Sequence, residues 1–421
     1  MTRNPATAKI IPPEKPLEGQ VTLPGSKSVT NRALLVAALA KGRSRLTGIL
    51  RSDDTRHMMT ALRSMGVEIL EIDETTLEVT GNGHLQAPDD PLFLGNAGTA
   101  VRFLTAAAAL VDGAVTVTGD AHMQKRPIAP LIETLRAMGV DALSETGCPP
   151  VMINGTGRFD AGDIAVSGAL SSQYISAIMM LAAMGREETR IHIEGGKIGA
   201  VGYLHITAAV MRAFGARVTF PASDRIAIEP GGYRAATYQI EPDASAATYL
   251  WAAEALTGGN IDIGAAPDTL NQPDAAAHAV IAAFPDMPSG IDGSQMQDAV
   301  PTIAVMAAFN NTPVHFTGIG NLRVKECDRV EALRDGLTRI RPDLASVEGD
   351  DLIVHSDPSL RGQSRPCRID SYADHRIAMC FALAGLLVRD ITIEDPMCVS
   401  KTFPAYWDVL RDLGVVVEMN G

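Results

Sequence analysis

Ala61-Leu62-Arg63-Ser64-Met65-Gly66-Val67-Glu68-Ile69 is a phrase that this chain repeats. It reads as the end of an amphipathic helix, closed by a glycine in the C′ position and followed by a β-branched strand start. The phrase returns as Thr134-Leu135-Arg136-Ala137-Met138-Gly139-Val140-Asp141-Ala142 and as Val210-Met211-Arg212-Ala213-Phe214-Gly215-Ala216-Arg217-Val218. Near the end it is Val409-Leu410-Arg411-Asp412-Leu413-Gly414-Val415-Val416-Val417. Weaker echoes lie at Val280-Ile281-Ala282-Ala283-Phe284 and Leu333-Arg334-Asp335-Gly336-Leu337. Gly66, Gly139 and Gly215 stand 73 and 76 residues apart, too long for a solenoid repeat and suited to duplicated α/β subdomains. About six such units fit the 421-residue chain. The strands between them are short and alternating, as in Thr76-Leu77-Glu78-Val79-Thr80 and Arg190-Ile191-His192-Ile193-Glu194. With turns such as Gly81-Asn82-Gly83 and Gly195-Gly196, they predict mixed sheets rather than one long parallel sheet. No Gly-x-Gly-x-x-Gly follows a strand, which argues against a dinucleotide fold. Ile240-Glu241-Pro242-Asp243 reads as a seam between two sets of three units.

Composition is that of a globular chain, 46% hydrophobic and 20% charged, with no apolar run long enough for a bilayer span. Met1-Thr2-Arg3-Asn4-Pro5 leads into no signal-peptide core, so a cytoplasmic location is expected. The five cysteines are scattered and form no Cys-x-x-Cys pair, the pattern of reduced thiols. The nine histidines show no metal-binding spacing. A net charge of −13 argues against nucleic acid or an anionic membrane as partner. It does not argue against small anionic ligands, because a cleft can be locally positive where cations cluster.

The cations do cluster beside small and hydroxylic residues. In Leu23-Pro24-Gly25-Ser26-Lys27-Ser28-Val29-Thr30-Asn31-Arg32, turn chemistry precedes a helix that Ser28 or Thr30 would cap, with Lys27 at its mouth. That is an anion site by helix-terminus physics, although not a P-loop, since Ser26 separates Gly25 from Lys27. Leu94-Gly95-Asn96-Ala97-Gly98-Thr99-Ala100-Val101-Arg102 repeats the arrangement, and Lys125-Arg126-Pro127 suggests Pro127 at N1 with Arg126 at a helix mouth. Ser167-Gly168-Ala169-Leu170-Ser171-Ser172-Gln173-Tyr174 offers polar side chains at a helix start, which a simple N-cap also explains. Asp298 heads an apolar helix through Ile303 to Ala308, as a cap or a buried base. Asn321-Leu322-Arg323-Val324-Lys325-Glu326-Cys327-Asp328-Arg329 is the densest charged group. On a helix it would place Lys325 and Arg329 on one side and Glu326 about 100° away. Asp374-His375-Arg376 and Ser400-Lys401-Thr402-Phe403-Pro404 again set a cation at the edge of an apolar element.

In this order, from Leu23 to Tyr406, these motifs resemble the 5-enolpyruvylshikimate-3-phosphate synthase family of enolpyruvyl transferases. The resemblance implies an α/β fold of two domains, each of three βαβαββ-type units, joined by two crossovers and closing over the substrates. One domain would comprise residues 1–23 and 241–421, the other 24–240. It implies transfer of the enolpyruvyl group of phosphoenolpyruvate to the 5-hydroxyl of shikimate 3-phosphate, by a monomer needing no metal or organic cofactor. Lys27, Ser28, Arg32, Ser171, Ser172, Gln173, Asp298, Asn321 and Lys325 would hold shikimate 3-phosphate. Lys27, Gly98, Arg126, Gln173, Arg329, Arg376 and Lys401 would hold phosphoenolpyruvate. Asp298 would take the proton of the 5-hydroxyl and Glu326 would protonate the methylene carbon, with Lys27 sharing the acid–base work. Glu326 would then need burial or a carboxylate neighbour to stay protonated among so many cations.

Two departures stand out. Ala200-Val201-Gly202-Tyr203 replaces the usual Ser-x-Pro-Tyr, removing one hydroxyl toward the acceptor. Phe103 stands where Pro or Leu is more usual, a bulkier ring able to shift the helix that starts at Gly98. Gly98 is the residue expected of a glyphosate-sensitive enzyme, because a methyl there would crowd the inhibitor. The sister UDP-N-acetylglucosamine enolpyruvyl transferases typically carry Lys-Asn at the first site and a cysteine in the loop before Arg-Pro. Here the sequence is Lys27-Ser28, and the loop Asp120 to Lys125 has no cysteine. A binding protein without catalysis would keep the cations but not Asp298 and Glu326 together.

Overall fold

The computed structural model describes residues 5–159, 162–167, 171–195 and 199–421. Met1 to Asn4, Gly168 to Leu170 and Gly196, all quoted above, lie outside them. The chain divides into two compact units, Gly25–Glu241, and Met1–Pro24 with Pro242–Gly421.

The unit of residues 25–241 contains three sheets of one pattern. In the first, Ala40–Thr47 lies parallel to Tyr233–Arg234 and Thr237–Gln239 and antiparallel to Leu77–Asn82, which pairs antiparallel with Glu68–Glu71. The second runs Leu92–Phe93, Asp112–Thr118, Val151–Thr156, Asp141–Leu143, and the third Asp163–Ser167, Thr189–Glu194, Arg225–Ile228, Val218–Ala222. Each has one parallel pair followed by two antiparallel pairs. A parallel pair needs a crossover, and a helix supplies it; the antiparallel pairs need only turns.

The other unit repeats the pattern in Gly290–Asp292, Val314–Thr317, Asp351–Val354, Ala345–Glu348. It repeats it again in Ser364–Ile369, Arg389–Glu394, Thr7–Ile11, Val416–Asn420. The N-terminal strand Thr7–Ile11 is an interior strand of that last sheet, which is why this unit is discontinuous in sequence. Its third sheet is reduced to Asn260–Asp262 beside Glu18–Gln20.

The repeated phrase is the device that ends these helices. Gly66, Gly139, Gly215 and Gly414 take φ of +85°, +79°, +88° and +95°, which any β-carbon would strain. The next N–H then returns to the carbonyl five residues back, at 3.1, 2.9, 3.0 and 2.9 Å, a Schellman closure. The echo at Leu333 to Leu337 is not one of these. Gly336 lies inside the helix Arg329–Ile340, where a β-carbon would meet the Phe381 ring at 2.3 Å, so this glycine serves close packing.

Each unit is built around three almost wholly buried helices, the middle one packed against both others. They are Lys27–Leu39, Gly98–Ala107 and Ser172–Ala182 in one, and Ala244–Thr257, Val300–Ala307 and His375–Ala384 in the other. A helix apolar on nearly every face is stable only when surrounded, and the alternating strands supply the outer layer. The motifs around Lys27, Gly98, Ser171, Asp298 and Asp374 fall at, or just ahead of, the N-termini of five of these six helices, whereas those around Arg126, Arg329 and Lys401 lie on segments before other helices.

Candidate active site

In the unit of residues 25–241, Ser26 rather than Ser28 or Thr30 caps the helix Lys27–Leu39, its hydroxyl accepting from the Val29 N–H. Thr30 instead donates to the Ser26 carbonyl and accepts from Leu50 N–H, tying the helix to the neighbouring loop. Lys27 is the first helical residue, and its Nζ lies 3.5 Å from Oδ2 of the buried Asp54. Gly25 has no room for a side chain: a β-carbon would lie 1.9 Å from the Gly48 carbonyl oxygen.

Arg126 is not at a helix mouth. The helix after it is Ala129–Ala137, capped by Ile128 with Pro130 in its first turn, and Arg126 is extended after a short 3-10 turn. Its guanidinium donates to Asn96 Oδ1 at 3.1 Å and lies over Gly98, so close that a β-carbon there would be 2.8 Å from Nη2. Arg102 holds this arrangement from below, donating to the Gly98 carbonyl at 3.2 Å and the Pro127 carbonyl at 2.9 Å. Ser171 is the N-cap of Ser172–Ala182, accepting from Gln173 N–H at 3.2 Å. Gln173 Nε2 donates to Thr99 Oγ1 at 3.3 Å, so the first turns of two buried helices meet. Ser28 is half-buried, and its carbonyl accepts from Arg32 Nη1 at 2.8 Å.

The second unit interlocks three cations with three carboxylates. The stretch Asn321 to Asp328 is not an α-helix: Gly320–Val324 is a 3-10 turn, and Asp328 caps the helix Arg329–Ile340. Lys325 and Arg329 therefore share no helical face. This irregular path instead turns Glu326 back onto Arg329, with Oε2 2.7 Å from Nη2, and brings Oε1 within 2.7 Å of Lys401 Nζ. Asp298 is not a cap, since the helix Val300–Ala307 begins after Ala299 without a side-chain cap. Its carboxylate accepts from Arg329 Nη1 at 3.0 Å and from Arg376 Nη2 at 2.9 Å. Asp374, fully buried, accepts from Arg329 Nε at 2.7 Å and from Arg376 N–H at 2.9 Å, which also caps the helix His375–Ala384.

Burial opposes the charge of Arg329, but Asp374, Glu326 and Asp298 together hold its pKa above the ordinary arginine value. Arg376 is raised likewise against burial, chiefly by Asp298. Behind them the buried carboxyl of Asp274, hydrogen-bonded by Ser245, is pushed up to about 6 by burial and by the charge of Asp298. Asn321 presents an enclosed side-chain oxygen with no hydrogen-bond partner.

Asp54, Asn96 and Asp374 were not among the candidates. Asp374 had a signal in Asp-His-Arg, whereas Asp54 reads only as an acidic residue in a helix's first turn. Among the described residues no group of three or more His, Cys, Asp or Glu could hold a metal ion, and all five cysteines are free. No helix among them is long and apolar enough to cross a membrane.

Residues 11–410 match the family model described as EPSP synthase (3-phosphoshikimate 1-carboxyvinyltransferase). A 3-phosphoshikimate 1-carboxyvinyltransferase of Rhizobium leguminosarum bv. trifolii is 64% identical over 420 residues, 99% of either chain. One of Pseudomonas syringae pv. tomato is 58% identical over 416 residues, covering 99% of this chain and 100% of its own. A solved EPSP synthase from Acinetobacter baumannii superposes with a TM-score of 0.78 at 25% identity, covering 98% of this chain and 99% of its own. The mixed α/β fold, the repeated sheets and the similarity along nearly the whole chain agree: this chain belongs to the EPSP synthase family of 3-phosphoshikimate 1-carboxyvinyltransferases.

Proposed function

We propose that this enzyme transfers the enolpyruvyl group of phosphoenolpyruvate to the 5-hydroxyl of shikimate 3-phosphate, with Asp298 as base and Glu326 as the acid toward the donor's methylene carbon. The observation that carries these assignments is that each of the two carboxylates is hydrogen-bonded by two cations drawn from the set Arg329, Arg376 and Lys401. A donor anion competes with Glu326 for Arg329 and Lys401. As it draws them to itself it loosens their hold on Glu326, freeing that carboxyl to carry a proton. Protonation of the methylene makes the adjacent carbon electrophilic. The acceptor oxygen, its proton passing to Asp298, adds there to give a tetrahedral intermediate. Loss of a methyl proton and of phosphate completes the transfer.

Lys27, Gly98, Arg126, Gln173, Arg329, Arg376 and Lys401 take the donor's anionic groups. Ser28, Arg32, Ser171, Ser172 and Gln173, with Asp298, Asn321 and Lys325, take the acceptor. The unpartnered Asn321 oxygen suits a substrate hydroxyl. Lys27 shares the acid–base work and neutralises the departing phosphate. This reading has the enzyme as a cytoplasmic monomer with those two substrates as its partners. The family match does not favour UDP-N-acetylglucosamine as acceptor.

The test is phosphate release from phosphoenolpyruvate plus shikimate 3-phosphate, with UDP-N-acetylglucosamine as control acceptor. Asp298→Asn and Glu326→Gln should each cost roughly a hundredfold or more in kcat while the protein still melts cooperatively. Near-normal turnover in either variant would remove that residue from its role.

A further inference from the structure

Two buried arginines in this chain have opposite surroundings. Arg329 meets three carboxylates, whereas none of the ion pairs among the described residues includes Arg32, which is 2% exposed. Arg32 donates only to neutral oxygens: Nε to Thr207 Oγ1 at 2.7 Å, Nη1 to the Ser28 carbonyl at 2.8 Å, and Nη2 to Ser176 Oγ at 3.2 Å. Its remaining support is aromatic. The Phe103 ring centroid is 5.1 Å from Cζ and that of Tyr203 is 5.6 Å away. Burial lowers the guanidinium pKa to about 10, so the group remains a cation at neutral pH.

An unpaired buried charge is costly, and ring faces offset part of that cost without bringing a competing anion. The three bonds above use one N–H each on Nε, Nη1 and Nη2, leaving one N–H on each terminal nitrogen for a bidentate contact. Phe103 is fully buried on the helix Gly98–Ala107, so its ring is fixed by packing. Tyr203 follows the tight turn at Ala200, where φ is +53°, its N–H donating to the Ala200 carbonyl at 3.1 Å. The two departures of this sequence, Phe103 and Ala200, thus converge on one arginine.

We propose that Phe103 is an acceptor-positioning residue, whose ring, with that of Tyr203, holds Arg32 as a cation without a protein counter-ion and aims its terminal N–H groups at an anionic group of the acceptor. This rests on the reading of Arg32 as an acceptor ligand. Phe103 does what neither Pro nor Leu can do at this position, and the contact it stabilises offsets the hydroxyl absent at Ala200.

The experiment measures shikimate 3-phosphate binding by calorimetry, and KM for each substrate with kcat, in Phe103→Leu, Tyr203→Leu and Arg32→Lys. A second series replaces Phe103 by phenylalanines of increasing fluorination, which weakens the ring face while nearly keeping its shape. Phe103→Leu should weaken acceptor binding about tenfold, with little change in the donor KM, and the fluorinated series should weaken it stepwise. Should Phe103→Leu not fold, the fluorinated series and Tyr203→Leu decide. Acceptor binding unmoved by fluorination while Arg32→Lys weakens it would overturn the role of the ring alone. Acceptor binding unmoved even in a folded Arg32→Lys would overturn the reading of Arg32 on which the proposal rests. Equal losses for donor and acceptor in Phe103→Leu, with no fluorine trend, would make Phe103 a packing residue of the Gly98 helix.

Discussion

At Gly98 the missing side chain matters because of one neighbour. A methyl group there would sit 2.8 Å from Arg126 Nη2 and 2.9 Å from Nη1, so the first thing it displaces is a guanidinium of the protein itself. Gly98→Ala should therefore raise the KM for phosphoenolpyruvate by roughly tenfold and alter kcat less, because Arg126 must withdraw from the helix end. Steady-state kinetics at saturating acceptor would read this, and an unchanged donor KM would separate Arg126 from donor binding. Lys27 presents a related case. Its ammonium faces the Asp54 carboxylate at 3.5 Å, and both side chains are largely shielded from water. Asp54→Asn keeps the shape and removes the counter-charge that aims Lys27. It should lower kcat by about tenfold with an unaltered melting temperature. Retained kcat would show that Lys27 is positioned by its own helix alone. Neither neighbour was visible from sequence spacing: Gly98 and Arg126 are 28 residues apart, Lys27 and Asp54 27 apart, and turns of irregular geometry bring them together.

Among elements, the helix closures were the most legible. Amphipathic periodicity ending on glycine is a local signal, since 5→1 and 6→1 hydrogen bonds join residues only four or five positions apart. Gly139 isolates the contribution, because a β-carbon there would touch nothing within 4 Å and its φ of +79° is the whole obstacle. Gly139→Ala should cost about 1 kcal/mol of stability with no effect on turnover, measurable by denaturant unfolding. A loss of several kcal/mol would point to a contact beyond backbone strain. The segment Asn321 to Asp328 shows where local signals fail. Its charges sit at helical spacing, yet the segment is not an α-helix. The chain takes a 3-10 turn and an irregular link instead, and the ion pairs form. Arg126 misled for a similar reason: Pro127 fits a helix start, but the cap is Ile128 and Pro130 lies in the first turn.

For the molecule as a whole, a net charge of −13 coexists with buried cations because each is compensated at short range, by carboxylates around Arg329 and by hydroxyls, a carbonyl and rings around Arg32. Asp274 sets a pH term in global stability. Its carboxyl is raised from 3.8 to about 6 in the fold, so its contribution is present below about pH 4 and is lost as pH rises through 6. A shift of about two units corresponds to roughly 3 kcal/mol. Asp274→Asn should gain on the parent by up to that amount between pH 4 and pH 7, and denaturant midpoints across this range would show it. A constant difference would mean that Asp274 does not titrate there. The sequence by itself determined the repeated architecture, the mixed sheets and the residue types of the candidate site, because periodicity, turn chemistry and motif order are properties of neighbouring residues. Only the tertiary structure decided which carboxylate meets which cation, that Asp54 lies beside Lys27 and Asp374 beside Arg329, and that Phe103 lies against Arg32. Those pairings join residues as much as 78 positions apart, and the energy that selects them appears only once the charges are buried together.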